Sequence, residues 1–206
     1  MTEFYYYEPR HGHGLDHDPL NAIIAPRPIG WISTKGCDGH NGLAPYCFFN
    51  AFNHRPPIVG FASIGWKDTI TNVETTGEFA WNLVTRSLAT AMNATAEAVL
   101  SDVDEFLLGG VSPAPSRLIC APRVAESPVS FECRLSQLIP LADSAGQDLD
   151  TWLVLGEVVA VHIRQDLIES GTYDTLAADP ILRAGGLSDY FWLEPSTRFQ
   201  MPRHGH

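Results

Sequence analysis

Residues 29–52 read IGWISTKGCDGHNGLAPYCFFNAF. Two apolar runs, rich in β-branched and aromatic residues, flank the glycine-rich connection KGCDGHNG; this is the pattern of two strands joined as a hairpin. The second run, LAPYCFFNAF, reads as one continuous strand. After the stop RPP, residues 58–65 (IVGFASIG) give a third strand, and the Asp and Thr of KDTITNVETTGE predict a short helix starting near Asp68. EFAWNLV at 78–84 alternates as a fourth strand. Residues 87–110, SLATAMNATAEAVLSDVDEFLLGG, have the alanine-rich, 3.6-residue period of helical segments ending at a glycine pair.

Two long strands follow, VSFECRLSQLIPL at 129–141 and TWLVLGEVVAVHI at 151–163, with Gly156 a candidate bulge or corner. The stretch 179–195, DPILRAGGLSDYFWLEP, reads as irregular. Many short strands, little helix and no βαβ rhythm predict a mainly β protein, an antiparallel barrel with minor helices. The 206 residues fit one domain, here residues 20–206 with a helical excursion at about 87–110, preceded by an arm at 1–19 rich in Tyr, His, Gly and Asp.

Asp and Glu number 24 against 13 Lys and Arg, a net charge of −11, which disfavours nucleic acid as a partner. No apolar run approaches the roughly 20 residues that span a bilayer, and no basic segment followed by an apolar one opens the chain. A cytoplasmic protein without membrane contact is expected. Cys37, Cys47, Cys120 and Cys133 form no CxxC pair, so they read as small core residues rather than a zinc or dithiol motif.

Three constellations could carry chemistry. His11, His13 and His17 with Asp16 and Asp18 have the spacing of a loop that could gather a divalent metal, and RHGH recurs at 203–206. Against a metal, histidines at a terminus are commonly solvated, and nothing elsewhere completes the set. A nucleophilic Cys47 or Cys133, with His54 or His162 as base, would need a low thiol pKa; a thiol flanked by rings in a strand is held protonated. The third is an anion site: SIGWKDTITN brings Ser63, Lys67 and Thr69 within seven residues at a helix start. Its alternative is a capped helix with a surface lysine. Beside the aromatic and amide-rich 41–50 run, this is the inventory that a flavin needs.

The ordered set PRPIGWIST, NGLAPYCFFN, RPP, KDT, ESPVSFECRL, LGEVV and DPILRAGGLSDYFWL, from about Leu20 to Leu193, resembles the flavin reductase-like, FMN-binding split-barrel family in its flavoredoxin-type branch. That resemblance implies a Greek-key split β-barrel, a homodimer with FMN near the interface, and electron transfer from NAD(P)H through FMN to a free flavin or a partner oxygenase. It implies that Ser33, Thr34, Asn41, Ala44, Pro45, Tyr46, Cys47, Phe48, Phe49 and Asn50 line the flavin. Ser63, Lys67, Asp68 and Thr69 would hold its phosphate and ribityl end, and Arg183 and Tyr190, in an Arg-x-Gly-Gly…Tyr element with Gly185 and Gly186, would lie nearby. Two positions depart from the family: Cys47 stands where serine is common, and AGQDLDTWLVLGEV lacks the histidine of the Gly-Asp-His of flavin reductases proper. The second departure points to an alternative, a flavoredoxin-like electron carrier or FMN-binding protein without NAD(P)H turnover.

Overall fold

The computed structural model describes residues 2–100 and 103–202. After a 3-10 turn at Pro9–His11 and the single-turn helix α1 (Leu20–Ile23) come strands β1 (Gly30–Lys35), β2 (Asn41–Tyr46), β3 (Phe49–His54) and β4 (Pro57–Ile64). Helix α2 (Asp68–Thr76), strand β5 (Glu78–Asn82) and the short helices α3 (Ala89–Ala94) and α4 (Glu105–Gly109) follow. A two-residue pair, β6 (Pro113–Ala114) with β7 (Arg123–Val124), precedes the long strands β8 (Val129–Ala142) and β9 (Asp148–Ile163). The chain ends in two small hairpins, β10 (Ile168–Glu169) with β11 (Thr172–Tyr173) and β12 (Ile181–Arg183) with β13 (Tyr190–Trp192). Residues 2–19 are largely exposed.

Among the described residues, seven strands form one sheet in the order β2-β1-β5-β8-β9-β4-β3. Its two edge strands, β2 and β3, are consecutive in the chain and separated only by Cys47 and Phe48. Two residues cannot cross the width of a flat seven-stranded sheet, so the sheet curls until its edges meet. The meeting is tight: a Cβ on Gly30 of β1 would lie 3.0 Å from Phe49 of β3. The run expected as one strand is therefore two, and the corner falls inside an apolar stretch whose composition gives no warning of it.

The barrel interior holds Ile32, Tyr46, Phe61, Phe79, Trp81 and Val154, with Phe49 stacked on Trp81 at 5.5 Å and 2°. Burying each such side chain contributes about 1.5–3 kcal/mol. Outside the wall, a second cluster packs Trp31, Leu43, Met92, Phe106 and Ile181. Strand β1 is thus buried on both faces, which explains why IGWIST shows no apolar-polar alternation.

Several expectations are corrected. The extra residue of the bulge near Gly156 is Ser136 of β8, between the pairs Leu135↔Gly156 and Gln137↔Leu155; Gly156 itself is required because a Cβ there would run into the Phe79 ring. The segment 179–195 contains the β12–β13 hairpin, braced by Arg183, whose guanidinium donates to the carbonyls of Gly186, Leu187 and Asp189. The helical segments of the excursion are α3 and α4, and Thr95, after α3, turns its hydroxyl to Met92 O and accepts from Trp31 Nε1. Of the cysteines, Cys133 is buried and Cys47 half-buried, but Cys37 and Cys120 are exposed.

Candidate functional site

Strand β2 and the start of α2 enclose a cavity of about 320 Å³, lined by Ala44, Pro45, Tyr46, Lys67, Asp68 and Thr69 and roofed by residues 95–99 and Glu105. Each wall has a local cause. As an edge strand, β2 has one side without a strand partner. There the Leu43 N–H donates to Glu105 at 2.5 Å, and two residues on, Pro45 has no N–H to leave unpaired. Burial pushes the Glu105 carboxyl up, against the Leu43 hydrogen bond, and Asp68 and Asp104 add to the shift.

The N-terminus of α2 is uncapped: Lys67 precedes it in extended conformation, and no side chain accepts from its first turn. Its leading N–H groups and the positive end of the helix dipole therefore remain for an anion. Lys67 has no carboxylate partner among the described residues. An anion seated there meets Asp68 and Glu105 as well, so the uncapped N–H groups decide the balance. Tyr46 supplies the second sign of a missing partner. Its hydroxyl is buried and makes no hydrogen bond. Burial pushes it up to about 12; the nearby hydroxyls of Thr69 and Ser63 oppose this, but neither reaches Tyr46 in bonding geometry, and Ser63 donates instead to Gly65 O at 2.9 Å.

The other residues expected at the site are distributed around it. Asn41 borders an adjoining cavity of about 190 Å³ with Asp38, His40 and Asn72. Phe48, Phe49 and Asn50 line a shallower one of about 380 Å³ on the other side of the corner, together with Arg27, Phe52 and Leu153. The Cys47 carbonyl accepts from Arg27 Nε at 3.2 Å, which fixes the corner between the two. Ser33 and Thr34 do not line either cavity. Ser33 joins a buried network, donating to Pro122 O and accepting from Asn82, and Thr34 accepts from Asn72. Arg183 is occupied by its own loop, and Tyr190 stacks under that guanidinium at 4.9 Å.

Arg27 is a residue that sequence reasoning passed over. It is 8% exposed, donates Nη1 to Asn21 O, lies 5.7 Å from the Phe48 ring, and has no carboxylate partner among the described residues. The signal was an arginine between two prolines just before a buried strand. The histidines of the arm do not gather: among the described residues no group of three or more His, Cys, Asp or Glu could hold a metal, and the echo at 203–206 lies outside them. Burial raises the Cys133 thiol, the wrong direction for a nucleophile.

A curled antiparallel barrel with an anion-ready helix start beside an aromatic corner defines a split-barrel protein. A model described as flavin reductase like domain matches residues 24–178, and the chain belongs to that family. An uncharacterized protein of Deinococcus radiodurans is 37% identical over 184 residues, 83% of this chain and 78% of its own. Nitrilotriacetate monooxygenase component B of Bacillus cereus superimposes with a TM-score of 0.88 at 28% identity, covering 98% of this chain and 100% of that one. A Shewanella frigidimarina protein described as having a split barrel domain shares the fold at TM-score 0.82 and 22% identity, covering 96% and 99%.

Proposed function

We propose that the protein binds FMN and acts as a flavin reductase-like oxidoreductase, taking electrons from NAD(P)H and passing them to a free flavin or a partner oxygenase. The observation that carries this is the uncapped α2 N-terminus with unpaired Lys67, in a cavity that is also lined by Tyr46, whose buried hydroxyl has no partner, in a chain of this family. Those residues fit the cofactor. Lys67, Thr69 and the α2 N–H groups suit a phosphate, Tyr46 supplies a donor for a ribityl or ring oxygen, and Ala44 and Pro45 with the Cys47–Phe48 corner offer apolar surface. Bound FMN would supply the hydride and single-electron chemistry. The chain's own part is to orient the ring, exclude water beneath residues 95–99, and leave one ring face open.

The resemblance of the whole chain to a monooxygenase component B favours an oxygenase as the acceptor's destination. The exposed apolar side chains Ile24 and Phe52 beside the corner favour a homodimer with the flavin near its interface. A cytoplasmic location is in keeping with this reading; among the described residues no helix is long and apolar enough to cross a membrane.

Purified protein should be yellow and release FMN on denaturation. Anaerobic mixing with NADH or NADPH should bleach the flavin band at about 450 nm, the visible signature of the oxidised cofactor. Bound FMN that neither nucleotide reduces would instead leave the electron-carrier function, for which the 145–158 stretch without histidine already speaks. Lys67→Ala should weaken FMN binding by about 1–3 kcal/mol; an unchanged dissociation constant, read by flavin fluorescence, would reduce Lys67 to a surface lysine.

A further inference from the structure

A larger cavity, about 720 Å³, opens elsewhere on the barrel wall. Pro45, Trp31, Asn82, Ser130 and His162 are successive register partners across β2, β1, β5, β8 and β9. The cavity's His162 is thus four strands from Pro45, about 19 Å along the sheet. The two cavities share no lining residue.

Its polar wall holds three arginines against one carboxylate, Glu126, in a chain whose net charge is −11. Arg117, Arg123 and Arg164 all line it. Arg123 donates Nη2 to Pro115 O at 3.0 Å, its Nε is buried without a partner, and its Nη1 is neither bonded nor buried. The Arg117 guanidinium makes no hydrogen bond or ion pair among the described residues, and Arg164 commits only Nε, to Asp166 at 2.6 Å. The carboxylates on this side are occupied. Glu126 accepts the Ser112 N–H with both oxygens, at 3.0 and 3.1 Å. Glu132, fully buried, accepts from the N–H groups of Arg117 and Leu118 at 2.7 and 2.6 Å, and bonds His162 Nε2 at 2.5 Å.

The three guanidinium groups with open donors outnumber the one carboxylate in the lining, Glu126, and since Asp166 offsets the charge of Arg164, Arg117 and Arg123 carry the positive potential of this concave site. The planar fork of arginine matches the oxygen spacing of phosphate and carboxylate groups. Pro128, Val161 and Ile163 add apolar lining, with Val161 53% exposed. The volume is that of a small organic ligand.

We propose that this cavity is a second binding site, for a small organic molecule whose phosphate or comparable multiply charged oxyanion sits on Arg117 and Arg123 and whose apolar part lies on Val161 and Ile163. The site stands independently of FMN binding.

Calorimetric titration of the full-length protein with pyrophosphate and with citrate, at constant ionic strength set by NaCl, tests it. Wild-type protein should bind at least one of them saturably; stronger pyrophosphate binding assigns a phosphate ligand, stronger citrate binding a carboxylate one. Arg117→Gln, which keeps the backbone N–H bonded to Glu132 and changes only an exposed side chain without partners among the described residues, should weaken binding about tenfold, as should Arg123→Gln. Saturating the protein with FMN beforehand, which fills the phosphate-ready start of α2 at Lys67, should leave it unchanged. Heats no larger than those of NaCl alone, affinity unaltered in both arginine variants, or loss of binding in the FMN-saturated protein would each overturn the site; the last would mean that the flavin cavity was the binding place.

Discussion

The hydroxyl of Tyr46 is a buried donor without an acceptor, the costliest state for a polar group inside a fold. The sequence marks Tyr46 as a flavin-facing residue only through the company it keeps; that its hydroxyl is left without a partner is a property of the β2 edge and the α2 start brought together. The reverse holds for Ser33 and Thr34. Hydroxyls beside a glycine-rich turn look like ligand contacts, but Asn82 and Asn72 arrive from distant segments and take them. Tyr46→Phe should therefore leave the stability of flavin-free protein unchanged or raise it by about 1 kcal/mol in urea unfolding, while weakening FMN binding about fivefold. The same substitution should change the alkaline limb. Tyr46 ionises near 10.0 unfolded and near 12 folded, so above pH 10 the unfolded state binds fewer protons and stability falls as pH rises to about 12. The slope from this one group approaches 1.4 kcal/mol per pH unit. Tyr46→Phe should flatten the fall in that window, and a superimposable pH profile would show that the hydroxyl is solvated after all.

Elements were legible where period and punctuation agree. Strands β1, β4 and β5, the start of α2 and the two long strands follow from apolar runs bounded by Gly, Pro, Asn and Thr. The break at Cys47–Phe48 was not legible, because the apolar pattern runs through it and only the closure of the sheet requires a corner. The 179–195 hairpin, three residues to a strand, is too short to show a period. Glu132 left a clearer trace: one acid in the apolar strand VSFECRL must find partners or stay out of the core. It ties residues 117 and 118 of the β6–β7 connection to the barrel, and those hydrogen bonds, with that to His162, hold its carboxyl below the usual range although burial opposes them. Its contribution is present above pH 4.5 and lost as pH falls through its folded value. Glu132→Gln should cost about 1–3 kcal/mol at neutral pH, read by thermal unfolding. Because that wall carries Arg117, the variant should also impair the oxyanion cavity while leaving FMN binding intact; equal stability at pH 7 would mean that the connection holds itself in place.

For the whole molecule, the curl that brings β2 to β3 has a consequence beyond closure. It leaves β3 as a wall that is largely exposed, with Phe52 at 54%, and sets Ile24, Phe48 and Leu153 beside it around the unpaired Arg27. Ile64 at the end of β4 and Trp66 in the loop just after it are also open, with Trp66 edge-on to Trp152 at 5.1 Å. Apolar side chains gathered at a strand edge expose both greasy surface and unpaired backbone, a combination that monomers usually avoid. A second copy of the chain would cover this face and complete the open side of the aromatic corner, placing the interface where the flavin ring is proposed to lie. Phe52→Glu puts a charge at the centre of that face without touching the barrel core. It should weaken self-association by about 2 kcal/mol or more, roughly 30-fold, visible as a shift from dimer to monomer in light scattering across a dilution series. If the flavin is bound near the interface, the monomeric variant should also lose its yellow colour although Lys67 and Tyr46 are intact. Loss of dimer with full retention of FMN would place the whole flavin site within one chain, and an unshifted dimer would move the interface off β3.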